Sequence, residues 1–268
     1  MKKLVEIVGF CLILSYGMLL YSCQKDEYTN GDIGKSGLAQ VNVIDAVVTG
    51  GYAKVNVSPK EIYWNSLPND QSAVNGQVLG DFFLGRLFRV PAGQNTVMQV
   101  VPVNDTTKMW YNHTAQLGAG KMYSLYLSGT PGNIKSLFHE EIDFPASIVR
   151  DAVKPTPATD SIVNIRFINL SSSVPKVDIK FVGGKNVTNN LSYQQFTDFK
   201  TYSATSDHEI YTFEIRRSSD QELIATYDFP VYYFRFKSAV VFMMGIYDPK
   251  YELPIEYTDR YRVEAVEY

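Results

Sequence analysis

Cysteine is almost absent from this chain. Its 268 residues hold two, Cys11 and Cys23, and everything after Cys23 lacks a thiol. Disulfides and thiol chemistry are therefore excluded from the body of the protein, which must be held by its apolar cores alone. An excess of basic charge is missing too: 25 Lys and Arg face 28 Asp and Glu, a formal net charge of −3. That balance gives no electrostatic footprint for nucleic acid. Histidine is scarce. His113, His139 and His208 are scattered, and His139-Glu140-Glu141 would put neighbouring side chains on opposite faces of a strand, which does not make a metal site. No G-x-S-x-G elbow marks a nucleophile. Gly183-Gly184-Lys185 lacks the rest of a phosphate loop and reads as a hairpin turn. No run of spaced aspartates suggests calcium. The expectation is a protein without catalytic residues, metal or cofactor. A sustained 3.6-residue apolar stripe is also absent after the first 22 residues, which argues against helices.

What is present begins at the N-terminus. Met1-Lys2-Lys3 is positive, Leu4 to Leu20 is mostly apolar, and Leu20-Tyr21-Ser22-Cys23 precedes Gln24-Lys25-Asp26-Glu27. The apolar run is short for a membrane span and is interrupted by Glu6, Ser15, Tyr16 and Gly17. The alternatives are a plain secretory signal or a buried apolar segment. The stretch resembles a bacterial lipoprotein signal, with residues 1–22 removed and Cys23 acylated. Lys25, Asp26 and Glu27 resemble the surface-export tag of Bacteroidota lipoproteins. These resemblances imply a palmitate-type lipid anchor in the outer membrane through Cys23, with the protein facing the cell exterior. Several acyl chains on one residue would anchor it stably. Residues 23–37 then form a polar, glycine-rich tether.

From residue 38 the pattern is short strands between turn signals. Ala53-Lys54-Val55-Asn56-Val57 alternates, as do Met122 to Ser128, Ile162 to Asn169, Lys176 to Phe181 and Tyr211 to Arg216. Period-two alternation of this kind predicts half-buried strands. It points Val55, Val57, Tyr123, Leu125, Leu127, Val163, Ile165 and Phe167 inward. Tyr232 to Gly245 reads as one bent strand or two. Residues 58–80, with Pro59, Pro68 and Asn75-Gly76, read as a long loop. Residues 150–160 carry Pro155 and Pro157 and little apolar content, as an interdomain linker should.

After that linker the pattern starts over. Val41 to Ala46 matches Ile165 to Leu170, Lys54 to Val57 matches Lys176 to Ile179, and both apolar strands that follow end in glycine, Gly129 and Gly245. An offset near 120 residues means tandem domains rather than a solenoid. Ile165 to Leu170, Lys176 to Ile179 and Leu191-Ser192-Tyr193 resemble the start of domain-of-unknown-function family 4397. Val90-Pro91-Ala92-Gly93, Leu117 to Tyr123 and Gly129 resemble its later part. The resemblance implies an immunoglobulin-like fold in an exported protein and brings no catalytic residue with it. The expected fold class is all-β, with two tandem immunoglobulin-like β-sandwich domains: residues 38–149 and 161–268, folding independently about the linker.

For function, the aromatic pairs Tyr63-Trp64 and Trp110-Tyr111 stand beside loop residues. They either stack on a ligand or cover the ends of the sandwich. Thr106 and Ser161, each behind an aspartate, resemble short O-glycosylation sequons. The expectation is a surface-anchored, non-enzymatic binding or adhesion module for a glycan, a partner lipoprotein or a host surface. The alternative is a structural or assembly subunit of a cell-surface complex with no ligand of its own.

Overall fold

The computed structural model describes residues 37–48, 52–60, 62, 64, 77–79, 85–141, 161–205, 210–250 and 260–267. Cys23, Lys25, Asp26, Glu27, Tyr63 and His208 lie outside the described residues.

The chain makes two four-plus-four β-sandwiches with the same topology. The first contains β1 (Leu38–Val47), β2 (Ala53–Ser58), β3 (Gln77–Leu79), β4 (Gly85–Pro91), β5 (Asn95–Pro102), β6 (Tyr111–Gln116), β7 (Met122–Thr130) and β8 (Asn133–Glu140). The second contains β9 (Ile162–Asn169), β10 (Lys176–Phe181), β11 (Asn186–Ser192), β12 (Lys200–Ser203), β13 (Ile210–Arg217), β14 (Leu223–Pro230), β15 (Ser238–Met244) and β16 (Arg262–Glu267). The sheets run β4-β1-β7-β8 and β3-β2-β5-β6 in the first repeat, and β12-β9-β15-β16 and β11-β10-β13-β14 in the second. Adding eight to each strand number turns one repeat into the other. Each repeat has one parallel pair, β1 with β7 and β9 with β15.

Alternation builds the two inner cores. Val41, Val43, Val55, Val57, Tyr123, Leu125 and Leu127 face each other across the first sandwich. Val163, Ile165, Phe167, Val177, Ile179, Phe213 and Ile215 do so in the second. Each repeat also turns on a glycine that no other residue replaces. Gly129 and Gly245 have φ of +94° and +85°, and an added Cβ would lie 2.4 Å and 2.1 Å from the carbonyl oxygens of Asn133 and Arg260.

A third core joins the repeats. Ile44, Ala46 and Tyr126 pack against Ile168, Leu170, Val240, Phe242 and Met244, with Leu137, Phe196 and Phe199 at the border. These residues sit on the outer faces of the β1–β7 and β9–β15 sheets, so the same face of each repeat is turned toward the other. β1 and β15 are consequently buried on both sides, which is why Ala239 to Met244 reads as a continuous apolar run; β1 instead buries the polar Asn42 and Asp45. Burying this face packs the two expected sandwich domains against each other. The run from Tyr232 also differs from the expected strand. Val231–Phe234 is a 3-10 turn, and β15 starts at Ser238.

Candidate ligand-binding surface

The polar residues of the shared core make a clasp. Glu141 accepts a hydrogen bond from Ser124 Oγ at 2.6 Å and pairs with Arg166 from the other repeat. The Arg166 guanidinium lies over the rings of Phe196 and Phe199, 4.6 Å and 4.1 Å from their centroids. His139 Nε2 is 3.9 Å from the same carboxylate. Serine, histidine and carboxylate thus meet, but Ser124 is fully buried and no substrate from solvent can reach its hydroxyl. The cluster holds sheets together; a buried pair of this sort sets register more than it adds stability. Farther along, Ser128 Oγ and Tyr193 Oη share a hydrogen bond of 2.8 Å.

The expected ligand-contact aromatics divide. Trp64 and Trp110 are 7% and 9% exposed, and Trp110 belongs to the core of the first sandwich. Both tryptophans are therefore packing residues and offer no stacking platform; an indole set against a sheet end is drawn under by the large area it buries. Tyr111 is half-buried and starts an aromatic row that spans two edge strands. Its ring is 6.1 Å from His113, which is 5.8 Å from Phe138, which stacks on Tyr123 at 5.5 Å. β6 and β8 each have a single hydrogen-bonded neighbour, so this row lines the lateral seam of the first sandwich. His113 is exposed and Phe138 half-buried. Burial pushes the Tyr111 phenol up to about 12, so it stays a neutral donor. The Lys121–Glu140 ion pair, at 3.0 Å, closes one end of the row.

The matching seam of the second sandwich has different side chains. β14 and β16 approach each other there, and Tyr227, Val263 and Ala265 pack onto the core. Burial raises the Tyr227 phenol beyond its ordinary value. Both seams are lined by side chains packed onto their cores, Tyr111, Ala115 and Phe138 in the first and Tyr227, Val263 and Ala265 in the second; the first differs in carrying the exposed imidazole of His113 between its rings.

Thr106 lies in a turn built by Asp105, whose carboxylate accepts from Thr107 N and Oγ1 at 3.2 Å and 2.5 Å. Those bonds, with the Lys108 ammonium beside it, hold the Asp105 carboxyl below its usual range. Ser161 is buried at 2% exposure, so this structure does not present it as a glycosylation acceptor; its backbone oxygen is taken by Ala204 N–H. Among the described residues no group of three or more His, Cys, Asp or Glu is placed to hold a metal ion. Sequence reasoning missed the exposed Tyr52, Met109, Ile210, Tyr232 and Tyr233. Pro230 ahead of Val231 was the available signal that the last two leave the strand.

No family model matches the chain, and no curated protein matches it. Among solved structures it is similar to CBMbc, a family CBM26 domain from Eubacterium rectale Amy13K, crystallised in complex with maltoheptaose. The identity is 9%, the match covers 78% of this chain and 92% of that one, and the TM-score is 0.24. A likeness that distant supports no conclusion about a ligand.

Proposed function

We propose that this protein is a lipid-anchored, non-catalytic binding module of the outer membrane that holds a neutral glycan in the seam between β6 and β8. The observation that carries the reading is the row Tyr111–His113–Phe138, in which an exposed imidazole lies between two half-buried rings on the edge strands of the first repeat. Aromatic faces stack on the C–H faces of sugar rings, while a few polar groups fix orientation. Here the imidazole of His113 and the phenol of Tyr111 supply those groups, and the charges of Lys121 and Glu140 beside them neutralise each other. Cys23 carries the anchor, and Lys25, Asp26 and Glu27 direct the protein to the cell exterior. The resemblance of its strand and turn residues to domain-of-unknown-function family 4397 is in keeping with an exported tandem sandwich.

The test is a glycan panel probed with the wild-type protein and with Tyr111→Ala and His113→Ala. Loss of one stacking ring should weaken binding on the order of tenfold, with the melting temperature kept as a control for folding. A wild-type protein that holds no glycan on the panel, or variants that bind as well as it does, would reject the proposal. A second reading, an assembly subunit, is favoured by the unpaired backbone edges of β6 and β8, since open edges template strand addition. It predicts a stoichiometric complex with another surface protein in place of sugar binding.

A further inference from the structure

The two ends of the molecule can be told apart by strand direction. β1 and β7 start together, with Gly120 N–H donating to the Leu38 carbonyl at 2.8 Å, so the chain enters the first sandwich at that end. β9 and β15 start together as well, with Asn164 N–H donating to the Lys237 carbonyl. Contacts across the shared core align the pairs. Glu141, bonded to Met122 at the start of β7, reaches Arg166 in the middle of β9, three residues before its end. Ser128, near the end of β7, meets Tyr193 and Gln194, and Gln194 N–H donates to the carbonyl of Asn169, the last residue of β9. β7 and β9 therefore run the same way, and the starts of β1 and β9 share one end.

At that end the second sandwich exposes apolar surface. Tyr233 is 62% exposed, Ile210 56%, Val182 44% and Tyr232 40%. Ile210 pairs with Pro230, directly before the 3-10 turn that carries both tyrosines. Val182 N–H donates to the Thr212 carbonyl two residues along β13. The two tyrosine rings lie 4.0 Å apart. Leaving such side chains in water forgoes about 25 cal/mol for every Å² that could be buried.

We infer that this tip is a membrane contact: Tyr232, Tyr233, Ile210 and Val182 rest on the lipid surface to which the chain is anchored. The inference relies on the lipid anchor proposed at Cys23. Residues 24–37 reach at most about 50 Å when fully extended, and they enter the first sandwich at the end that bears the tip. Amphipathic phenol rings suit the headgroup layer, where one side is apolar and the other wet. A docked tip orients the stack relative to the bilayer, which a tether alone does not do.

The experiment uses the lipidated protein in phosphatidylethanolamine–phosphatidylglycerol vesicles. An environment-sensitive fluorophore is attached at Tyr233→Cys and, separately, at Met109→Cys, an exposed side chain at the opposite end. Fluorescence at position 233 should shift to the blue and be quenched by nitroxide-labelled lipid, while position 109 keeps its aqueous signal. Floating protein with aqueous spectra at both positions overturns the inference and leaves the anchor standing. Protein that does not float with the vesicles overturns both. A signal at 233 that ignores lipid but answers to the glycan panel assigns the tip to sugar and overturns the inference as well.

Discussion

Replacing Asp45 with asparagine should stabilise the protein at alkaline pH and remove a pH dependence that the wild type carries. Asp45 stands near the end of β1, paired with Leu127, and its carboxylate accepts a hydrogen bond from Val47 N–H at 3.0 Å. Burial outweighs that bond and raises its pKa from 3.8 to about 7. The second repeat has Asn169 at the same place. Its Oδ1 accepts from Ser171 N–H at 3.1 Å, and its amide donates to the Val174 carbonyl at 2.9 Å. The fold therefore accepts a neutral amide at this turn. Because the folded-state pKa is raised, the folded protein holds this proton more tightly than the unfolded chain. The stability it contributes is complete below about pH 4 and is lost as pH rises through about 7. A tenfold difference in proton affinity between the folded and unfolded chain is worth about 1.4 kcal/mol, so the loss across that window approaches roughly 4 kcal/mol. Urea unfolding of wild type and Asp45→Asn at pH 5 and pH 8 reads the difference directly, since other titrating groups cancel between the two proteins. The variant should gain on the wild type by about 2.5 kcal/mol between the two pH values. Parallel stability curves would show that Asp45 is not desolvated as described, and the repeat comparison would lose its force.

Other perturbations follow from the packing. Glu141→Ala leaves the Arg166 guanidinium buried without its partner and should cost about 3–5 kcal/mol, whereas the double change Glu141→Leu with Arg166→Leu should recover much of that in denaturant titrations. Phe242→Ala opens a cavity in the shared core. It should cost about 3–5 kcal/mol and split one calorimetric transition into two, one for each sandwich. Gly245→Ala forces a Cβ against the Arg260 carbonyl at positive φ and should destabilise by at least about 1–3 kcal/mol, visible as a lowered melting temperature.

Much of this architecture is legible in the chain because strands announce their faces. The alternation in Lys54 to Val57 and Lys176 to Ile179 places Val55, Val57, Val177 and Ile179 in the cores where the structure has them, and the matching glycines mark the duplication. The shared core was less legible. Ile44, Ala46, Ile168 and Leu170 fall on the face that alternation assigns to solvent, where they alternate with Asn42, Asn164 and Arg166, and only the unbroken apolar run of β15 hints that both faces are covered. The candidate site was legible only in part. Tyr111 belongs to it, but its neighbours His113 and Phe138 come from different strands, and nothing local says that β6 and β8 bring their rings together. For Trp64 and Trp110 the sequence left stacking and end-covering both open, because loop position says nothing about which way a ring turns; the structure buries both.

The most direct measurement of the proposed role is an aromatic and amide NMR titration of the protein with a glycan retained from the panel. Resonances of Tyr111, His113 and Phe138 should move together and saturate, while those of Tyr227 in the matching seam of the second repeat stay fixed. Shifts confined to other surfaces, or none at saturating sugar, would contradict the assignment of the β6–β8 seam as the binding site.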